Sequence, residues 1–267
     1  MNIKTLLIAL FAAILLTTSC QTTRNAPTTQ ERIAHNTLTT NEIAARWQLL
    51  FDGETLNGWR NYNQSSVATD FWAAIDGTIK AKGGGGARFG YLVTDREFEN
   101  FILDWDWKIS PGGNSGMFYH VVESPEFRTP YLTGPEFQLI DDHGFAHPLQ
   151  VWQKTGGNYG MHSLDASIYE NGLINPPGEW NNSRIVFDNG RVEHWINGKR
   201  VLKFRAWSDE WFQLRSSGVW RDTPWYGLSN RGVFALQDHG TAPVWFRNIK
   251  VKELPSRIGE NARNTHN

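Results

Sequence analysis

The sequence predicts an all-β chain folded as a single antiparallel β-sandwich of jelly-roll type. Short apolar runs with period-two alternation follow one another from residue 47 to residue 251. Asp76-Gly77, Asn189-Gly190 and Asn197-Gly198 stand between such runs, as the dipeptides of two-residue hairpin turns do. Nowhere do strands alternate with long helical segments, which argues against a parallel α/β sheet. A helix is expected only over 208–215, with Ser208 as its N-cap, beside one helical turn over 42–46.

Taken in order, the chain opens with Lys4, an apolar run over 6–16 and Thr17-Thr18-Ser19 ahead of Cys20. A basic start, a core too short to span a bilayer and small residues at the end make a secretory signal over 1–19. Cys20 is the sole cysteine of the 267 residues, so no intramolecular disulfide forms. Its place after small residues resembles a bacterial lipoprotein signal, although Thr17 stands where Leu is usual. Residues 20–46 then read as the anchor site and a Thr-, Asn- and Gln-rich tether. The domain occupies 47–254, and 255–267 form a tail. This layout predicts an extracytoplasmic, membrane-anchored protein, in the periplasm or at an outer membrane, touching the membrane through its lipid alone. Gln21 after Cys20 favours outer-membrane sorting.

Within the domain, strands are expected over 47–51, 71–75, 78–81, 91–94, 101–109, 117–123, 136–141, 184–187, 192–196, 201–204, 233–237 and 244–251. Phe101, Leu103, Trp105, Trp107 and Ile109 share one face. Pro111-Gly112-Gly113-Asn114 turns the chain. Gly83 to Gly86 lacks a following Lys-Ser/Thr and helix, so it reads as a loop and not a phosphate cradle. Two long loops, 143–180 and 205–231, have the size of binding loops.

Net charge is −1, so nothing in the composition calls for nucleic acid. Thirteen Trp residues supply core mass or stacking platforms for sugar faces. Alternation puts Glu136 and Gln138 on one face of their strand, opposite Phe137 and Leu139. By the same rule His194 lies with Val192 and Ile196, and His120 with Phe118 and Val122. Were these strands in one curved sheet, its concave face would gather the polar groups, with Gln237 and His239 at the rim. Glu136 and Asp141 are five apart and face opposite ways, so an ordinary two-carboxylate glycosidase is disfavoured. His194 reads equally as a structural or a catalytic residue, and Asn114 as a turn residue or a sugar contact. No metal-ligand spacing is present; His143 and His147 are four apart, but Gly144 and Pro148 exclude a helix.

Seven ordered motifs resemble one family. They are Leu50-Phe51-Asp52-Gly53 with Gly58-Trp59, Trp107-Lys108-Ile109 with Gly113-Asn114-Ser115-Gly116, Gly134-Pro135-Glu136-Phe137-Gln138, Gly178-Glu179-Trp180-Asn181, Glu193 to Gly198, Leu236 to Gly240, and Phe246-Arg247-Asn248-Ile249-Lys250. Together they are similar to the 3-keto-disaccharide hydrolase domain family. The resemblance implies a concanavalin-like sandwich and cleavage of glycosides oxidised at C3, by hydrolysis or by elimination and hydration. The chemistry so implied needs a base for the C2 proton, a stabiliser for the enolate and a donor for the leaving group. Glu136, His194, His120 and His239 are the candidate catalytic groups. Gln138, Asn114, Asp141, Gln237, Tyr159, His162, Trp220 and Trp225 are the candidate substrate contacts. No cofactor is expected; a divalent metal could stabilise the enolate, but no ligand spacing supports one. The absence of a nicotinamide fingerprint assigns the oxidation to a separate sugar 3-oxidoreductase. The alternative is a non-catalytic carbohydrate-binding lipoprotein.

Lipidation is testable directly. Cells fed a labelled fatty acid should label the wild-type chain and not a Cys20→Ala variant; label retained by the variant contradicts the assignment.

Overall fold

In a computed structural model the described residues are 35–67, 69–84 and 90–257. Cys20, the signal and most of the tether lie outside them. The alternation of 101–109 is realised in a strand whose residues Phe101, Leu103, Trp105, Trp107 and Ile109 are all buried. Thirteen strands are formed among the described residues. They are β1 (Gln48–Leu49), β2 (Trp59–Asn61), β3 (Trp72–Ile75), β4 (Thr78–Ala81), β5 (Gly90–Phe98), β6 (Phe101–Ile109), β7 (Asn114–Val121), β8 (Glu136–Ile140), β9 (Asn181–Asp188), β10 (Arg191–Ile196), β11 (Lys199–Arg205), β12 (Gly232–Asp238) and β13 (Val244–Glu253). The sequence shows all of these except β2, whose three residues are too few to display a period.

The strands make two antiparallel sheets, the predicted jelly-roll sandwich. The larger runs β11-β10-β9-β6-β13-β4-β3, with β1 also paired to β13; the smaller runs β2-β5-β12-β7-β8. Three hairpins close as their dipeptides require. Asp76 and Gly77, Asn189 and Gly190, and Asn197 and Gly198 all have positive φ, which suits the type I′ turn. Between the sheets lies one apolar core in which Leu92, Met117, Phe137, Leu139 and Leu236 of the smaller sheet meet Trp105, Ile185, Val192 and Ile196 of the larger. Of the tryptophans, Trp59, Trp72, Trp105, Trp107, Trp211 and Trp220 are buried in this core. Trp180 instead lies under Arg247, whose guanidinium carbon is 3.8 Å from the ring centroid.

β7 departs from simple alternation. Ala235 pairs with Phe118, but Val233 pairs with Val121, so Tyr119 and His120 together oppose Phe234. This is a β-bulge, and His120 carries its positive φ of 53°. The extra residue reverses the parity of the strand. His120 therefore points into the intersheet core, not to the face of Phe118 as alternation predicts.

The fold also takes in residues upstream of Trp47. Helix α1 (Thr40–Ala44) begins with a capping box between Thr39 and Glu42. Asn36 is buried against a second bulge, in β13, where Asn248 has φ of 52°. There the Asn248 N–H donates to Asn36 Oδ1 at 2.8 Å, and Asn36 N–H donates to Asn248 Oδ1 at 2.6 Å. Asn36 Nδ2 also donates to the Gly77 carbonyl at 2.9 Å. Asn36→Ala leaves two of these backbone groups unsatisfied. It should lower stability in urea by about 1–3 kcal/mol; an unchanged midpoint contradicts this role.

Candidate active site

The face of the smaller sheet turned away from the core holds a cavity of about 250 Å³. Its lining follows from strand parity. Tyr91 of β5, Gln237 of β12, Asn114 of β7, and Glu136 and Gln138 of β8 all face outward from the core and into it. In register Tyr91 stands opposite Gln237, and Gly116 opposite Gln138. Gly116 is thus the one position in this row without a side chain. The Glu136 carboxylate lies over it: a Cβ on Gly116 would sit 1.9 Å from Glu136 Oε1. Glycine is required here for space, not for φ.

β8 would be an edge strand, but the first long loop covers it. Gly156 N–H donates to the Gln138 carbonyl at 2.8 Å, Gln138 N–H to Gly157 at 3.2 Å, and Tyr159 N–H to Glu136 at 3.1 Å. That pairing sets Tyr159 on the cavity wall. The second long loop contains helix α2 (Asp209–Ser217), capped by Ser208 as predicted, and brings in Trp220. The Trp220 indole donates to the Tyr159 carbonyl at 2.9 Å and stacks on Tyr226 with ring centroids 4.2 Å apart. Tyr131 and His239 complete the lining.

Electrostatically the cavity is built around one carboxyl group. Glu136 is 6% exposed, its Oε1 makes no hydrogen bond, and burial pushes its carboxyl up to about 8. Burial lowers the His239 imidazole, with Asp238 opposing, so the ring tends to neutrality. Gln138 donates one Nε2 hydrogen to the Gln153 carbonyl at 3.2 Å, leaving the other N–H of that amide for a ligand. Tyr91, Tyr131, Tyr159 and Trp220 form the aromatic part of the wall, beside the amides of Asn114 and Gln237.

Of the residues predicted from sequence, Glu136, Gln138, Asn114, Gln237, His239, Tyr159 and Trp220 therefore come together. Five do not. His194 lies on the inner face of the larger sheet. Its Nδ1 is 2.8 Å from the Gly156 carbonyl, and Phe137 stands beside its ring at 4.7 Å. It shares a face with Val192 and Ile196 as expected, but that face is the core. His120 is turned inward by the bulge, with Nε2 2.8 Å from the Glu99 carbonyl. Burial pushes the imidazole of His120 down to about 4 and that of His194 to about 3, so both are neutral packing groups. His162 stacks on Phe204 at 4.2 Å and is likewise lowered to about 4 by burial. Asp141 clamps a turn instead: its carboxylate accepts from the N–H groups of Gly112, His143 and Gly144. Trp225 is 56% exposed beside Phe127 and lies outside the cavity lining.

Tyr91 and Tyr131 are the wall residues that sequence reasoning missed. Tyr91 had a readable signal, since it alternates with Leu92 in a predicted strand. Tyr131 sits in a 3-10 turn, Pro130–Leu132, that no period marks. Among the described residues no three His, Cys, Asp or Glu side chains gather to hold a metal ion.

Residues 46–252 match the family described as the 3-keto-alpha-glucoside-1,2-lyase-like domain. A 3-keto-disaccharide hydrolase of Bacteroides thetaiotaomicron is 33% identical over 230 residues, covering 77% of this chain and 77% of that protein. A solved structure from Parabacteroides distasonis, described as a candidate glycosyl hydrolase, is 40% identical with a TM-score of 0.76, over 83% of this chain and 100% of that one. A second from the same organism, with the same description, is 26% identical with a TM-score of 0.60, over 78% and 100%. By sequence along most of its length, the chain belongs to the 3-keto-alpha-glucoside-1,2-lyase-like domain family.

Proposed function

We propose that the protein cleaves the glycosidic bond of 3-keto-α-glucosides by elimination and rehydration, with Glu136 as the base. The observation that carries this reading is the buried Glu136 carboxyl, raised to about 8, beside the amides of Gln138 and Gln237. Direct hydrolysis through paired carboxylates needs two of them flanking the bond, about 5–5.5 Å apart in a retaining enzyme. Among the described residues Glu136 is the one carboxylate in the lining, and the nearby Asp141 and Asp238 are spent on loop N–H groups.

A ketone at C3 makes the C2 hydrogen acidic. The Glu136 carboxylate takes that proton, and the electron pair moves onto the C3 oxygen, where the second amide N–H of Gln138 stabilises it. The enolate collapses, the C1–O bond breaks, and the departing alkoxide takes a proton from water. The hydroxide so formed adds to C1 of the enone, and Glu136 returns its proton to C2. One water is consumed, and the products are the 3-keto sugar and a free alcohol. In an α-glucoside the C2–H and C1–O bonds are trans-diaxial. The base therefore works from one ring face while the leaving oxygen is protonated from the other. We assign the water on that second face to neutral His239 at the rim.

The same reading supplies the context. The ketone would come from a separate sugar oxidoreductase, the sequence carrying no nicotinamide-binding fingerprint. Such an enzyme would act where lipidated Cys20 holds this one, outside the cytoplasm.

Glu136→Gln keeps the shape and removes the base. Turnover of methyl 3-keto-α-glucoside should fall by roughly two to four orders of magnitude, with the circular dichroism spectrum unchanged. For the wild type, kcat/KM should climb with pH as the carboxyl ionises and level off above about 8, because the base is active only deprotonated. Near-wild-type turnover in the variant contradicts the mechanism. Sugar binding with no turnover by the wild type would make the protein a binding module.

A further inference from the structure

The outer face of the larger sheet carries a run of cations and indoles. In register, Trp245 of β13 pairs with Lys80 of β4 on one side and Lys108 of β6 on the other. Both ammonium groups lie over the Trp245 ring, at 5.3 and 4.8 Å from its centroid. Lys108 also lies 5.1 Å from the ring of Trp180, which carries Arg247 as well. Further along, Trp47 stands between Arg184 and Lys250, at 5.9 and 5.7 Å. Indoles and cations thus alternate across β4, β13, β6 and β9.

The carboxylates of this face are all taken. Asp104, Asp106, Asp188 and Glu193 each have a guanidinium partner, and Glu42 of α1 has Lys250. Among the described residues Lys80, Lys108 and Lys252 are left without a carboxylate, in a chain whose net charge is −1. The segment from Cys20 also arrives here. His35 Nδ1 is 3.3 Å from Asn248 Nδ2, and Asn248 Nδ2 donates to the outward-facing carboxylate of Asp106 at 2.7 Å. Cys20 and His35 are fifteen residues apart, which is at most about 50 Å of extended chain.

We infer that this face lies against an anionic phospholipid surface, with Lys80, Lys108 and Lys252 among the headgroups and the half-buried Trp180 and Trp245 at their level. Cations within a Debye length of an anionic leaflet are attracted to it. Indoles settle where apolar and wet surroundings meet. The arrival of the chain at His35 and Asn36 turns the same face toward an anchor at Cys20. The Glu136 cavity is on the outward side of the other sheet, so it opens away from the lipid and toward dissolved substrate. This contact goes beyond one made through the lipid alone. Its orientation draws on the anchor at Cys20 and is independent of the elimination reading.

The test is lysine acetylation read by mass spectrometry, on the full chain with excess vesicles. One set of vesicles is phosphatidylcholine alone, and the other contains about one-third phosphatidylglycerol. Acetylation of Lys80, Lys108 and Lys252 should fall several-fold on the anionic vesicles and recover at high salt. Lys154, which lies over Tyr169 in the loop that covers β8, should label alike on both sets. Lys80→Glu combined with Lys108→Glu should restore the labelling of Lys252, with the circular dichroism spectrum unchanged. Equal labelling of Lys80 and Lys108 on the two sets, or protection of Lys154 in their place, overturns the inference, and that comparison needs no variant. Labelled fatty acid reads the anchor separately: a chain that takes up no label and still shows this footprint loses the anchor and keeps the face.

Discussion

A carboxyl group held out of water, with no cation beside it among the described residues, is the constraint around which this site is arranged. Raising Glu136 from 4.5 to about 8 corresponds to a cost on the order of 5 kcal/mol for its charged form. Desolvation is the cause, and three features of the fold produce it. Gly116 leaves room for the carboxylate to lie flat on the sheet. The segment 156–159 seals the edge of β8 by backbone pairing. Trp220, tied to the Tyr159 carbonyl and backed by Tyr226, closes the wall above. An acid made weak in this way is a base poised near neutral pH, which is what proton abstraction beside a ketone needs.

The sandwich explains why the histidines are not part of that arrangement. Sheets that face each other have inner surfaces that are core and outer surfaces that are not. β8 and β10 belong to different sheets, so residues with the same sequence alternation end up on opposite sides of Phe137. Glu136 is on its outer side and His194 on its inner side. Each is 6% exposed or less, yet they have opposite fates. One opens onto a cavity, and the other packs against Phe137, Tyr119 and Phe204. Burial therefore makes Glu136 a chemical group and His194 a packing group whose Nδ1–H donates one bond to the Gly156 carbonyl.

Much of this was legible from local chemistry. Period-two alternation and the Asp-Gly and Asn-Gly turns are local, and they delivered twelve of the thirteen strands. The pairing of Glu136 with Gln138 opposite Phe137 and Leu139 is a property of one strand and needs no partner. Sheet membership is not local, and neither is the bulge at His120, where one extra residue reverses the face. Those two features account for the misplacement of His194 and His120. Asp141 failed for another reason: its neighbours are glycine N–H groups that only the folded turn presents to it. Tyr131 lies in a turn with no period, so its part in the wall appears only in three dimensions.

The central claim is that Glu136 is held neutral until the pH approaches 8 and then serves as the base. Carbon-13 NMR of protein labelled at glutamate side chains reads this directly, with Glu136→Gln to assign the resonance. The account predicts one glutamate carboxyl titrating near pH 8, absent from the variant, and shifted when a 3-keto sugar binds. If the resonance lost in the variant titrates near 4.5 with the surface glutamates, the desolvated base does not exist and the mechanism built on it is wrong.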